Sequence, residues 1–263
     1  MSAQNTTAGP IKHYNDLSRW GQKPDQANQI RVERTLGLIP ADAHTILDLG
    51  CGDGTVSNAL VDRGIDLVGT DISATALQYF EGKAVIASVG HLPLPDKSFD
   101  LVLCAETLEH LPTGLFEETL NEIERVAGRY VIITTPNNEY LPAGLTRCQR
   151  CRTVYHVNLH ARSLDRAAHT DLFREFVLFK TIDIARWRHS PSLISVEHVL
   201  LGVYSFQEGS PCPYCGHIST RRPKVRLWKR ILLKGLREAD KLLPRGGKAR
   251  WIASLYRRSG SLD

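Results

Sequence analysis

Three groups of residues in this 263-residue chain have the types and spacing to do chemistry. The first is a glycine-rich turn, Gly50-Cys51-Gly52-Asp53-Gly54, preceded by the run Thr45–Leu49 with Asp48 inside it. Glycines there let the backbone approach a ligand that Cβ atoms would repel. A dinucleotide fingerprint needs G-x-G-x-x-G. Here the third glycine arrives one position early, with Thr55 in its place, so NAD is disfavoured. Asp71 ends the next apolar run, where a carboxylate can accept both ribose hydroxyls of an adenosine. The plainer alternative is a tight turn without a ligand.

The second group is Glu106, Glu109 and His110. On a helix, positions i, i+3 and i+4 share one face. Two carboxylates and an imidazole there can hold Mg²⁺, Mn²⁺ or Zn²⁺, with His156 or His160 as a further ligand. The alternatives are a general base at His110 and a purely structural cluster. The third group is two C-x-x-C pairs, Cys148/Cys151 and Cys212/Cys215. Four thiolates complete a tetrahedral structural zinc site, with a redox pair or free buried thiols as alternatives. Glycine after the last cysteine, Gly216, suits a knuckle turn.

The elements that must position these groups alternate in the α/β manner. Strands are expected at Thr45–Leu49, Leu67–Thr70, Ala84–Ser88, Phe99–Cys104, Tyr130–Thr134 and Val177–Ala185, with a closing strand near Arg250–Tyr256. Helices are expected at 29–39, Val56–Arg63, Ala74–Phe80, Phe116–Val126 and Leu164–Arg174, the last capped by Ser163. Leu193–Tyr204 is ambiguous between helix and strand. Residues 1–28 read as a cap over a main domain of residues 29–263, with knuckle segments at 146–160 and 210–217.

At the glycine turn the chain resembles the class I S-adenosylmethionine (SAM)-dependent methyltransferases. DLGCGDG looks like their first motif and VGTDIS like their second. The stretch His91–Leu111 and ITTPN at Ile133–Asn137 are similar to later elements of the type 11/12 branch. The resemblance implies a Rossmann-like, doubly wound sheet of seven strands with helices on both faces and an antiparallel last strand. It places Asp48, Gly50, Cys51 and Gly52 around the methionine end of SAM, Asp71 on the ribose, and Ile72 on the adenine. Ser88 and Val89 would flank the adenine edge, where family members usually carry an acid in place of Ser88. Cys104 and Ala105 would lie under the sulfonium. The Glu106/Glu109/His110 spacing looks like the metal site of small-RNA 2′-O-methyltransferases and ubiquinone-pathway O-methyltransferases. The split cysteine pairs resemble zinc knuckles of type 11/12 enzymes in glycan or natural-product pathways.

The implied function is O-methylation of a hydroxyl on a sugar, glycan or natural-product metabolite. RNA 2′-O-methylation, small-molecule N-methylation and an inactive SAM- and zinc-binding scaffold are the rivals. Charge bears on partners. Residues Arg221–Arg258 hold 14 Lys+Arg against Glu238 and Asp240, while the remainder is net acidic. The amphipathic segment Val225–Leu243 carries Trp228, Ile231, Leu232, Leu236, Ala239 and Leu243 on one side. Core packing of that stripe is the favoured expectation. Contact with an anionic surface or phosphate-linked carrier is the functional alternative, and nucleic acid is less favoured. The opening MSAQNTTAGP has no basic segment followed by an apolar run, so no secretory signal and a cytoplasmic protein are expected.

Overall fold

The computed structural model describes Tyr14, residues 20–186, Glu197, and residues 201–206, 208–209, 211–242 and 249–260. Most of the expected cap and most of the ambiguous segment Leu193–Tyr204, namely residues 193–196 and 198–200, lie outside the described residues.

Helix α1 (Gln26–Leu36) starts at Asp25, whose carboxylate accepts from Asn28 N at 2.8 Å. That bond satisfies an amide left open in the first turn. Strand β1 (Thr45–Leu49) is followed by α2 (Asn58–Val61), β2 (Asp66–Asp71) and β3 (Lys83–Ile86). Then come β4 (Phe99–Ala105), α3 (Thr113–Val126) and β5 (Ala127–Pro136). A small hairpin, β6 (Leu145–Arg147) and β7 (Val154–His156), precedes α4 (Arg166–Thr170) and β8 (Phe176–Arg186). Helix α5 (Leu227–Leu242) and β9 (Ala249–Arg258) follow.

Seven strands form one sheet in the order β3-β2-β1-β4-β5-β9-β8. β3, β2, β1, β4 and β5 run parallel, and β9 is antiparallel to both β5 and β8. This is the expected seven-strand sheet with its reversed last strand. Its central strands are buried on both faces. Ile46, Leu101, Leu103 and Ile132 pack on one side, and Leu47, Val102, Val131 and Ile133 on the other. Successive side chains of a strand point to opposite faces, so alternate residues of each strand serve each core.

Several expected elements are shorter. The helix read over Val56–Arg63 is the single turn Asn58–Val61, and Ala74–Phe80 contains a 3₁₀ turn at Ala76–Tyr79. The helix read over Leu164–Arg174 is Arg166–Thr170. Its cap is Asp165, which accepts from Ala168 N at 2.8 Å, not Ser163. The hairpin β6–β7, bracketing the first cysteine pair, is absent from the sequence reading.

Candidate active site and cysteine cluster

In open α/β sheets ligands bind beyond the carboxyl ends of the strands, where strand order reverses. Here the reversal lies between β1 and β4. A cavity of about 1020 Å³ opens there. That is at the top of the roughly 300–1,000 Å³ range of small-molecule pockets, enough for a cofactor and an acceptor together.

The glycine turn forms one wall. Gly50 has φ +73° and Gly52 φ +54°, both left-handed, which favours glycine. A Cβ on Gly50 would meet Thr107 Oγ1 at 2.5 Å, and one on Gly52 would meet the Trp20 ring at 2.9 Å. Gly50 N and Cys51 N both donate to Thr70 O, tying the turn to β2. Asp71 ends β2, accepting from Gly52 N at 2.9 Å and Ser73 N at 2.8 Å. Burial raises its pKa despite these amides. Ile72, Ser88 and Val89 also line the cavity, as do Cys51 and Ala105. Tyr14 and Trp20 stand over the turn. Trp20 Nε1 donates to Tyr14 O, and Gly21 N donates to Asp53 Oδ2.

Asp48 and Cys104 do not line this cavity. Asp48 is buried and accepts from Ser57 Oγ at 2.5 Å. Cys104 is fully buried in the core beside Ile123 and Ile133. The cause is strand alternation: the Cys104 side chain takes the α3 side of the sheet, and neighbouring Ala105 lines the cavity.

The expected helical face at Glu106, Glu109 and His110 does not form. Glu106 has φ +54°, and the chain then makes a 3₁₀ turn over Leu108–His110. Glu106 instead accepts from Trp251 Nε1 at 2.7 Å. Its other oxygen and both Glu109 oxygens are buried without a hydrogen-bond partner among the described residues. Burial and the Glu106 charge push the Glu109 carboxyl well above the usual range. Two donor triads result: Glu109, His110 and His160, and Glu139, His156 and His160. Within each, the ligand atoms lie within 4.8 Å of one another. The His156 and His160 rings stack with centroids 4.7 Å apart, and His160 Nδ1 hydrogen-bonds Glu139. Burial raises a carboxylate's pKa, but the two imidazoles outweigh it and hold Glu139 down at about 2. Tyr14 Oη lies 3.2 Å from His110 Nδ1. Buried acceptors without donors, gathered among imidazoles, are a donor set suited to a divalent cation.

Two site residues escaped the sequence reading. Glu139 follows β5 in the sequence NNEY, its signal being its place at the carboxyl end of a central strand. Arg31 lines the cavity from α1, with Nη1 buried and without a hydrogen-bond partner among the described residues.

The two cysteine pairs meet. Cys148 Sγ lies 3.6 Å from Cys215 Sγ, and Cys151 Sγ 3.7 Å from Cys212 Sγ. Sulfurs around a tetrahedral zinc, at about 2.3 Å each, would stand about 3.8 Å apart. The first pair sits in the β6–β7 turn, closed by Cys148 N donating to Thr153 O. The second is closed by Cys212 N to His217 O and Gly216 N to Cys212 O, with Gly216 at φ +68°. Ser205 N donates to Leu145 O, which draws the second knuckle to the hairpin across the long gap. Pro213 and Tyr214 of this knuckle reach the cavity wall.

Residues 47–131 match the family described as "Methyltransferase domain". A SAM-dependent methyltransferase from Archaeoglobus fulgidus superposes with TM-score 0.51 at 17% identity, over 87% of this chain and 91% of that one. One from Thermotoga maritima gives 0.52 at 15% identity, over 95% of each. The fold is that of the SAM-dependent methyltransferases. Among curated proteins, a ubiquinone biosynthesis O-methyltransferase from Azoarcus sp. is 29% identical over 157 residues, or 52% of this chain and 66% of that protein. A second protein of that name, from Albidiferax ferrireducens, is matched over 51% of its length, so the chain spans less than two thirds of these relatives. Among the described residues, no helix is long and apolar enough to cross a membrane.

Proposed function

We propose that the chain transfers a methyl group from SAM to a hydroxyl oxygen of a sugar, glycan or natural-product acceptor. One observation carries this: a single cavity joins the glycine turn and Asp71 to His110, His156 and His160, and buried Glu109 lies within ligand reach of His110 and His160. Gly50 and Gly52 keep the cradle open for the cofactor, and Asp71 ends β2 where ribose hydroxyls would be received. Bound there, the sulfonium supplies the methyl group for in-line transfer, which mainly needs approach geometry. Glu109, His110 and His160 would hold a divalent cation in this reading, and Glu139 and His156 form a second triad that shares His160. Such a cation lowers the pKa of a bound hydroxyl. Tyr14 fixes the His110 ring, and residues of the second knuckle wall off the acceptor side. The four cysteines hold a structural zinc, chosen over a redox pair because all four sulfurs converge. Likeness to O-methyltransferases favours oxygen over nitrogen as acceptor atom.

The test is methyl-labelled SAM with a panel of vicinal diols, catechols and primary amines, before and after EDTA. The proposal expects label on oxygen, lost on chelation and restored by Mg²⁺, Mn²⁺ or Zn²⁺, with the four-cysteine zinc content followed in parallel. Full activity with the triad stripped of metal would overturn the cation assignment. Label on nitrogen alone would overturn the acceptor assignment.

A further inference from the structure

Helix α5 turns its apolar face away from the body of the protein. Leu233 is its buried contact, 7% exposed. Four residues to either side, Lys229 donates to Leu201 O, and Arg237 pairs with Glu197 through bonds of 2.9 and 3.1 Å. Residues spaced by four lie along one face, so this mainly basic stripe faces the body. On the other side Leu227 is 70% exposed, Trp228 53%, Ile231 65% and Leu232 43%. A helix packed on a core has the reverse polarity, and the expected burial of Trp228, Ile231 and Leu232 is thereby corrected. Neither core contains a described residue of α5, and Leu233 alone is buried among the described residues of this helix. Arg230 and Lys234 are exposed on one flank of the apolar face, and Arg221, Arg222, Lys224 and Arg226 are exposed just before the helix.

We propose that α5 is an interfacial anchor, laying Leu227, Trp228, Ile231 and Leu232 into the surface of a membrane containing anionic lipid. A basic amphipathic helix with Trp and aliphatic residues on one side lies in the interface plane, its cations meeting lipid phosphates and carboxylates. Trp favours the headgroup level. A second copy of the chain is a poorer occupant, because pairing two such faces brings two sets of Arg and Lys together. Nucleic acid is poorer still, since the outermost side chains are mainly aliphatic and phosphate contact needs cations there.

The test floats the full chain with phosphatidylcholine vesicles, with and without phosphatidylserine, some carrying bromine on the acyl chains. Binding is expected to require phosphatidylserine, and tryptophan fluorescence to be quenched by brominated chains, with the quench removed in Trp228→Phe. Ile231→Asp should weaken binding at least about tenfold by removing buried apolar area from the contact. Arg230→Ala with Lys234→Ala should weaken it about thirtyfold, near-surface cations each being worth roughly fivefold. Both variants change exposed positions, so SAM binding and melting temperature should match the wild type. The proposal is overturned if the wild type stays unbound at low salt. It is equally overturned if binding occurs without quenching, or if Ile231→Asp instead abolishes a concentration-dependent dimer.

Discussion

Replacing Asp48 by Asn should stabilise the ligand-free protein at alkaline pH and leave it nearly unchanged in acid. Asp48 is 2% exposed on a central strand. Burial pushes its carboxyl up to about 7. Ser57 Oγ, donating at 2.5 Å, works against that shift, and the nearby Asp71 charge adds to it. An unfolded aspartate titrates near about 3.9. Between those values the folded chain holds a proton that the unfolded chain has lost, so stability falls as pH rises through the window. The contribution is full below about 4 and gone above about 7. Each pKa unit is worth ~1.4 kcal/mol, so the displacement sets an upper limit of ~4 kcal/mol. In a chain of this length that corresponds to roughly 8–16 °C in Tm. Asparagine keeps an acceptor for Ser57 and carries no charge. Urea unfolding of both proteins at pH 5 and pH 8 measures the effect. The difference between them should widen by at least about 1 kcal/mol at pH 8. Parallel stability curves across this range would refute the argument.

Cys212→Ser should lose zinc and stability together, because metal binding and folding of the knuckles are coupled; elemental analysis beside thermal melting reads both. Gly50→Ala should weaken SAM binding at least about tenfold, since its Cβ would meet Thr107 at 2.5 Å in a left-handed backbone. Thr107→Ser in the same chain should restore little, because the backbone strain remains; equilibrium dialysis with labelled SAM distinguishes the two.

The sheet was legible because apolar runs such as Leu101–Leu103 and Val131–Ile133 are hydrophobic throughout, as expected of strands buried on both faces. The glycine turn was legible because Gly50 and Gly52 take conformations few other residues tolerate. Side-chain direction at strand ends was harder. Neighbours such as Cys104 and Ala105 differ by one residue and therefore by one face of the sheet. Glu106 was misplaced because a left-handed turn at a non-glycine residue leaves no mark in composition. Glu139 was missed because it joins His156 and His160 through tertiary packing across 17 and more residues. For α5 the sequence shows that an apolar face exists, but periodicity alone does not say what covers it.

The central claim is that SAM lies across the glycine turn with its ribose at Asp71. Isothermal titration of the full chain with SAM and S-adenosylhomocysteine tests this most directly, with NAD as control and Asp71→Ala as the variant. Both SAM and S-adenosylhomocysteine should bind the wild type, NAD should not, and Asp71→Ala should weaken binding at least about tenfold, as loss of a charge-assisted pair of ribose hydrogen bonds implies. Folded wild-type protein that ignores SAM, binds NAD equally well, or binds SAM unchanged after Asp71→Ala would contradict the account.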